Sequence, residues 1–268
     1  MIGVLDSGVG GISVLREIAR ALPTEDLVYA GDSAFCPYGA KSTAALRARL
    51  EVIVDFLIAQ GAEVIVFACN SATIQGVEWC RERWPQTPFV GMEPGVKPAV
   101  SQTQQDVIGV LATEASLTGE MFARLVERCC QNIKVLTMAC PTFVSLVEEG
   151  TLDGPEVEAA INEYAGPMVE AGADVLVLGC THYPFLAKAI SRVFPEITLI
   201  NTGPAVARRV SEVLDNQNES QRRARVGSVS FWTSGEVAQM ERLLPILAPE
   251  LQGPIRRLGL WGRECISA

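Results

Sequence analysis

The chain's one histidine, His182, stands two residues after Cys180 in Val175-Leu-Val-Leu-Gly-Cys180-Thr-His-Tyr-Pro184. A thiol close to an imidazole can serve as a nucleophile with its base, or as a pair that takes and returns protons. The segment has a counterpart 111 residues earlier: Gly61-Ala-Glu-Val-Ile-Val-Phe-Ala-Cys69-Asn-Ser matches Gly172-Ala-Asp-Val-Leu-Val-Leu-Gly-Cys180-Thr-His position for position. A free cysteine at such a place is ordinarily a small buried hydrophobe. The repeat favours chemistry instead, because both copies keep a thiol followed by small polar residues, Asn70-Ser71 in one and Thr181-His182 in the other. Two such thiols on opposite sides of one carbon could invert it, a thiolate removing a proton from one face while a thiol returns one to the other. A free thiol has a pKa of about 8.5, and a helix N-terminus or a protonated neighbour raises its thiolate fraction.

Other polar residues fall where ligands bind in parallel sheets, beyond the carboxyl ends of strands. Asp6 precedes the glycine-rich Ser7-Gly-Val-Gly-Gly11, which reads as an anion seat at a helix start or as a tight strand-to-helix turn. Asp6 aligns with Ala112 of the second copy, so the fold itself does not require an acid there. Asp32 opens Asp32-Ser-Ala-Phe-Cys-Pro-Tyr-Gly39, where Tyr38-Gly39 is equally readable as an ordinary turn. The pair Glu148-Glu149 has the character of a solvated helix end.

The elements that must position these residues alternate. Apolar runs at Ile2–Leu5, Leu27–Ala30, Val64–Ala68 and Phe89–Val90 read as strands, with helices near Ser13–Leu22, Thr43–Gln60 and Ala72–Trp84. Such alternation implies parallel strands joined by crossover helices. The pattern restarts at Ile108-Gly-Val-Leu-Ala-Thr113, which echoes Ile2-Gly-Val-Leu-Asp-Ser7 at an offset of 106 residues. Strands are expected at Val107–Leu111, Lys134–Met138, Val175–Leu178 and Thr198–Ile200, with helices near Leu117–Cys130, Thr142–Glu149, Glu156–Ala171 and Pro184–Phe194. The chain therefore reads as an internal duplication, two similar parallel-sheet α/β domains; if these are related by a pseudo-twofold axis, the active site falls in the cleft between them and Cys69 and Cys180 approach it from opposite sides. The first domain is expected over 1–95 plus 206–268, the second over 96–205. In the tail, a helix near Ala205–Leu214 and an exposed loop at Asp215–Arg225 precede a strand at Ser228–Trp232, a helix near Val237–Leu244 and a final strand at Ile255–Leu258.

Composition narrows the class. A 268-residue chain with 49% hydrophobic and 20% charged residues is globular. A formal charge of -9 argues against nucleic-acid or anionic-membrane partners, although it leaves room for a small anionic substrate. No apolar run approaches the ~18 residues of a membrane span and the start does not resemble a signal peptide, so a cytoplasmic protein is expected. Eight cysteines without a Cys-x-x-Cys pair suggest neither a disulfide scaffold nor a zinc site. Oligomeric state is not legible, a homodimer being one option.

Taken together, Asp6-Ser-Gly-Val-Gly-Gly11, Gly31-Asp-Ser-Ala-Phe-Cys-Pro-Tyr-Gly39, Ala68-Cys-Asn-Ser-Ala-Thr73, Gly91-Met-Glu-Pro-Gly95, Cys140-Pro-Thr-Phe-Val and Leu178-Gly-Cys-Thr-His-Tyr-Pro-Phe-Leu186 resemble the bacterial glutamate racemases, in order from residue 2 to about 210. The resemblance implies cofactor-independent interconversion of L- and D-glutamate, supplying D-glutamate for peptidoglycan. By position it makes Cys69 and Cys180 the catalytic acid/bases, the first acting on D-glutamate and the second on L-glutamate. Asp6, with Asp32, would assist Cys69; His182 would assist Cys180; and a glutamate in the region of Glu148, preferred here to Glu149, would complete the set. Asp6, Ser7, Tyr38, Gly39, Asn70, Ser71, Thr181 and His182 would hold the substrate. The chain departs from the common family pattern at Phe35, Ser145 and Asn201, none of them in the proton-transfer pair. An aspartate racemase on the same scaffold and a non-catalytic phosphate or nucleotide binder are the alternatives.

Overall fold

A computed structural model describes residues 1–215 and 225–259; most of the loop expected at Asp215–Arg225, and Cys265, lie outside the described residues. In chain order it begins with strand β1 (Ile2–Asp6), helix α1 (Ile12–Ala21), β2 (Leu27–Gly31), α2 (Thr43–Ala59), β3 (Val64–Phe67), α3 (Asn70–Arg83) and β4 (Phe89–Val90). There follow α4 (Val96–Val100), β5 (Val107–Ala112), α5 (Glu114–Leu117), α6 (Glu120–Cys129), β6 (Lys134–Ala139), α7 (Pro141–Glu149), α8 (Pro155–Glu170), β7 (Val175–Leu178), α9 (Ala187–Val193) and β8 (Thr198–Asn201). The chain continues through α10 (Gly203–Asp215), β9 (Val229–Thr233), α11 (Val237–Leu247) and β10 (Ile255–Arg257).

Two compact units result, Met1–Met92 with the segment from Gly203 onward, and Glu93–Thr202. The first holds a six-stranded parallel sheet in the order β10-β9-β2-β1-β3-β4. Its central strands are apolar without alternation because both faces are covered: every residue of β1, β2 and β3 is buried. On one face α2 lays down Leu46, Leu50, Ile53, Val54 and Leu57, all fully buried at three- and four-residue spacing. The second unit holds a four-stranded parallel sheet in the order β6-β5-β7-β8. Four consecutive strands of the first unit, β2-β1-β3-β4, have the same order as β6-β5-β7-β8, so the sequence repeat is also a repeat of topology. In both, the strand order reverses beside the first strand, where crossover helices leave in opposite directions and open a crevice at the carboxyl ends.

Two expected helices differ at their starts. The helix expected near Leu117–Cys130 is α6, which begins at Glu120 after Gly119 in an extended conformation; the short α5 before it is a separate helix, capped by Thr113, which accepts the Ser116 N–H at 3.3 Å. The stretch expected at Pro184–Phe194 starts as a tight 3₁₀ turn over Tyr183–Leu186 before α9; Pro184 has no N–H to donate and suits such a first turn. No helix among the described residues is long and apolar enough to cross a membrane.

Candidate active site

In the first unit the crevice lies beyond β1 and β3. Asp6, the last residue of β1, is fully buried and accepts the Gly8 N–H at 2.9 Å. The chain turns tightly into α1 there: a Cβ on Gly11 would lie 2.6 Å from the Asp6 Cβ and 3.0 Å from the Ala68 Cβ, so the close approach needs glycine. Cys69 leaves β3 with extended backbone and becomes the N-cap of α3, its Sγ accepting the Ala72 N–H at 3.5 Å. The same thiol lies 3.9 Å from the Ser7 hydroxyl, which also takes a 3.9 Å contact from Cys36 Sγ. Thr73 ties the turn down, donating to the Cys69 carbonyl at 3.0 Å and accepting the Met92 N–H at 3.1 Å. Asn70 and Ser71, in the first turn of α3, are buried. The thiol thus stands at the positive end of a helix, where negative charge is stabilised.

Asp32 and Tyr38 form a separate buried group in this unit. The Tyr38 hydroxyl donates to Asp32 Oδ2 at 2.8 Å, and the Arg49 guanidinium grips the carboxylate with Nε at 2.9 Å from the same oxygen. Burial, then the Asp32 charge and hydrogen bond, and then the neighbouring Cys69, hold the Tyr38 phenol well above its ordinary pKa of 10.0.

In the second unit the corresponding edge lies beyond β5 and β7. Cys180 and Thr181 are buried, and the Cys180 Sγ faces His182 Nδ1 at 3.6 Å. The other ring nitrogen, Nε2, is 2.8 Å from Glu148 Oε1, near the end of α7. Burial works against charge on this imidazole, but its hydrogen bonds to Cys180 and Glu148 prevail and hold its pKa well above 6.5. His182 thus faces one thiol and one carboxylate, both of which favour its charged form. The turn is clamped by Tyr183, whose hydroxyl donates to the Cys140 carbonyl at 2.9 Å and the Ala112 carbonyl at 3.1 Å, at the ends of β6 and β5. Its ring packs edge-on to Phe143 at 5.2 Å.

The other buried cysteines are chemically quiet. Burial pushes the Cys80 thiol up to about 12. Burial, followed by proximity to Cys180, pushes Cys140 up further. Among the expected site residues, the geometry joins Cys69 with Ser7 and Cys180 with His182 and Glu148, while Asp32 is committed to Tyr38 and Arg49. Sequence reasoning passed over Arg49 and Tyr183 as contributors. Arg49 carries no signal in a helical stretch, but Tyr183 sits inside the Cys-Thr-His-Tyr-Pro run and could have been named.

A thiol at the carboxyl edge of each of two like-ordered parallel sheets points to an α/β enzyme class rather than to a binding module. The chain belongs to the Asp/Glu/Hydantoin racemase family, whose sequence model matches residues 2–210, and is thereby a racemase, an enzyme of the isomerase class. It is 45% identical to the glutamate racemase of Pseudomonas aeruginosa (strain PAO1) over 95% of this chain and 97% of that one. Among solved structures it resembles Escherichia coli glutamate racemase in complex with L-glutamate and the activator UDP-MurNAc-ala, with a TM-score of 0.85 and 30% identity over 96% of this chain and 97% of that one. It likewise resembles the Francisella tularensis glutamate racemase in complex with D-glutamate, with a TM-score of 0.82 and 27% identity over 96% of each chain.

Proposed function

We propose that the protein interconverts L- and D-glutamate without a cofactor, by proton transfer at Cα between two cysteines, and so supplies D-glutamate for peptidoglycan in the cytoplasm. The observation that carries the reading is the matched placement of Cys69 and Cys180 after the third strands of two sheets with the same strand order. Relatives that hold L-glutamate in one case and D-glutamate in another support the choice of substrate.

The difficulty of the reaction is the low acidity of an amino-acid α-proton. The scheme requires the two thiols to reach opposite faces of one Cα in a site that excludes water and offers preorganised donors to the developing carbanion. Starting from L-glutamate, the Cys180 thiolate takes the α-proton and the Cys69 thiol delivers its own to the other face; D-glutamate runs the sequence in reverse. His182, held charged by Glu148, supports the thiolate at Cys180. The α3 N-terminus supports the one at Cys69, with Asp6 as its proton-handling neighbour. Ser7, Tyr38, Gly39, Asn70, Ser71 and Thr181 hold the carboxylates and ammonium.

Circular dichroism of L-glutamate and L-aspartate, each incubated with cofactor-free protein, tests the proposal. The glutamate signal decays to zero while the aspartate signal persists. Decay of aspartate alone makes the protein an aspartate racemase, and decay of neither in folded protein refutes racemisation of both.

A further inference from the structure

We propose that Arg49 and Ser234 are positioning residues for the substrate loop, acting through the Asp32 carboxylate without touching the substrate. The proposal rests on the reading of Tyr38–Gly39 as substrate-holding. Asp32 is fully buried just beyond β2, and four hydrogen bonds converge on its two oxygens. Oδ2 accepts the Tyr38 hydroxyl at 2.8 Å and Arg49 Nε at 2.9 Å, while Oδ1 accepts Arg49 Nη2 at 2.5 Å and the Ser234 hydroxyl at 2.6 Å. With each oxygen taking two donors, this carboxylate is built to hold neighbours in place and is poorly disposed to exchange a proton with a substrate or thiol.

The donors come from three directions. Tyr38 belongs to the loop itself, Arg49 projects from α2, and Ser234 follows β9, about two hundred residues later in the chain. The Ser234 Oγ also receives the Ala34 N–H at 3.1 Å, and Thr233 Oγ1 contacts Ser33 Oγ at 3.3 Å, so the β9 exit embraces the start of the loop. Phe35 is sandwiched within it, with the Arg49 guanidinium 5.2 Å and the Lys41 ammonium 4.6 Å from its ring centre. Tyr38, only 1% exposed, is therefore fixed at its hydroxyl by a carboxylate that is itself fixed by α2 and the β9 exit. Without the arginine fork, a buried carboxylate loses its cation and the loop loses its anchor.

Steady-state kinetics on R49M, R49K, S234A, D32N and the double variant R49M/D32N tests this. R49M raises KM for both enantiomers by about tenfold or more with kcat changed less than about threefold, and R49K falls between it and wild type. The double variant recovers much of the KM, because the neutral amide that D32N introduces keeps partners for Tyr38 and Ser234 without a stranded charge. S234A shows a smaller KM rise, and it keeps the test open if R49M does not fold. Amide hydrogen exchange over residues 33–40 accelerates in R49M and S234A, a readout that does not depend on the substrate. Unchanged KM and exchange in folded R49M and S234A overturn the proposal. So does a D32N variant that loses kcat by about a hundredfold at unchanged KM, which would make Asp32 a proton-transfer group. A wild type that racemises no glutamate refutes the functional reading instead, and exchange then decides the clamp alone.

Discussion

At Cys69 the thiol accepts a backbone N–H at a helix N-terminus, whereas Cys180 faces an imidazolium whose far nitrogen is held by Glu148. Two sources of positive potential, one a fixed dipole and one a titrating ring, thus serve two like thiols. The second depends on pH. In E148Q the carboxylate that helps Cys180 keep His182 protonated is gone, so burial weighs more and the charge is lost at lower pH than in the wild type. The kcat/KM deficit of E148Q is therefore small at pH 6 and grows to about tenfold or more by pH 8, measured as a pH profile by circular dichroism. For stability the sign runs the other way. A folded-state pKa raised above 6.5 contributes stability that is fully present below the unfolded value and is lost as pH rises through the folded one. Removing the Glu148 carboxylate from this part-buried pair thus costs on the order of 2 kcal/mol in urea denaturation at pH 6, and the cost shrinks as the solution becomes more alkaline. The Cys-x-His spacing was legible in the sequence. The contact of Glu148, rather than Glu149, with His182 was not, since adjacent carboxylates at a helix end look alike until the fold turns one of them inward.

The strand-to-helix turns after β1 and β3 hold the candidate site residues of the first unit, and steric closeness sets their form. Gly11 reads in sequence as part of an anion seat or of a tight strand-to-helix turn; in the fold it forms the turn and lets α1 pass within contact of Asp6 and Ala68. G11A is expected to cost about 2 kcal/mol in denaturant unfolding, because neither neighbouring Cβ is the far end of a flexible side chain, and to displace Asp6. A variant as stable as wild type would show that the turn has slack. The strands were legible because runs such as Val-Ile-Val-Phe are apolar at every position. The late start of α6 after Gly119 and the 3₁₀ opening at Tyr183–Leu186 were not, since spacing fixes a helix better than its first turn. Nor does periodicity reveal that β9 pairs with β2, a contact made by sheet edges distant in sequence.

Over the whole molecule, the repeat in sequence becomes a repeat in strand order, and a cysteine follows the third strand of each copy. Two enantiomers have equal free energy, so kcat/KM must be equal in the two directions for every variant, and directional rates alone cannot reveal which cysteine serves which enantiomer. Isotope placement shows instead whether two bases act at all. The most direct test of the two-thiol account is early-time racemisation of protiated L-glutamate in deuterated water, followed by mass analysis of the separated enantiomers. Two bases on opposite faces put solvent deuterium into D-glutamate from the first turnovers, while the remaining L-glutamate keeps its protium, and C69A and C180A each abolish the conversion. D-glutamate that retains the original α-proton, or conversion that survives in C180A, would contradict the account by showing that one base carries the proton across.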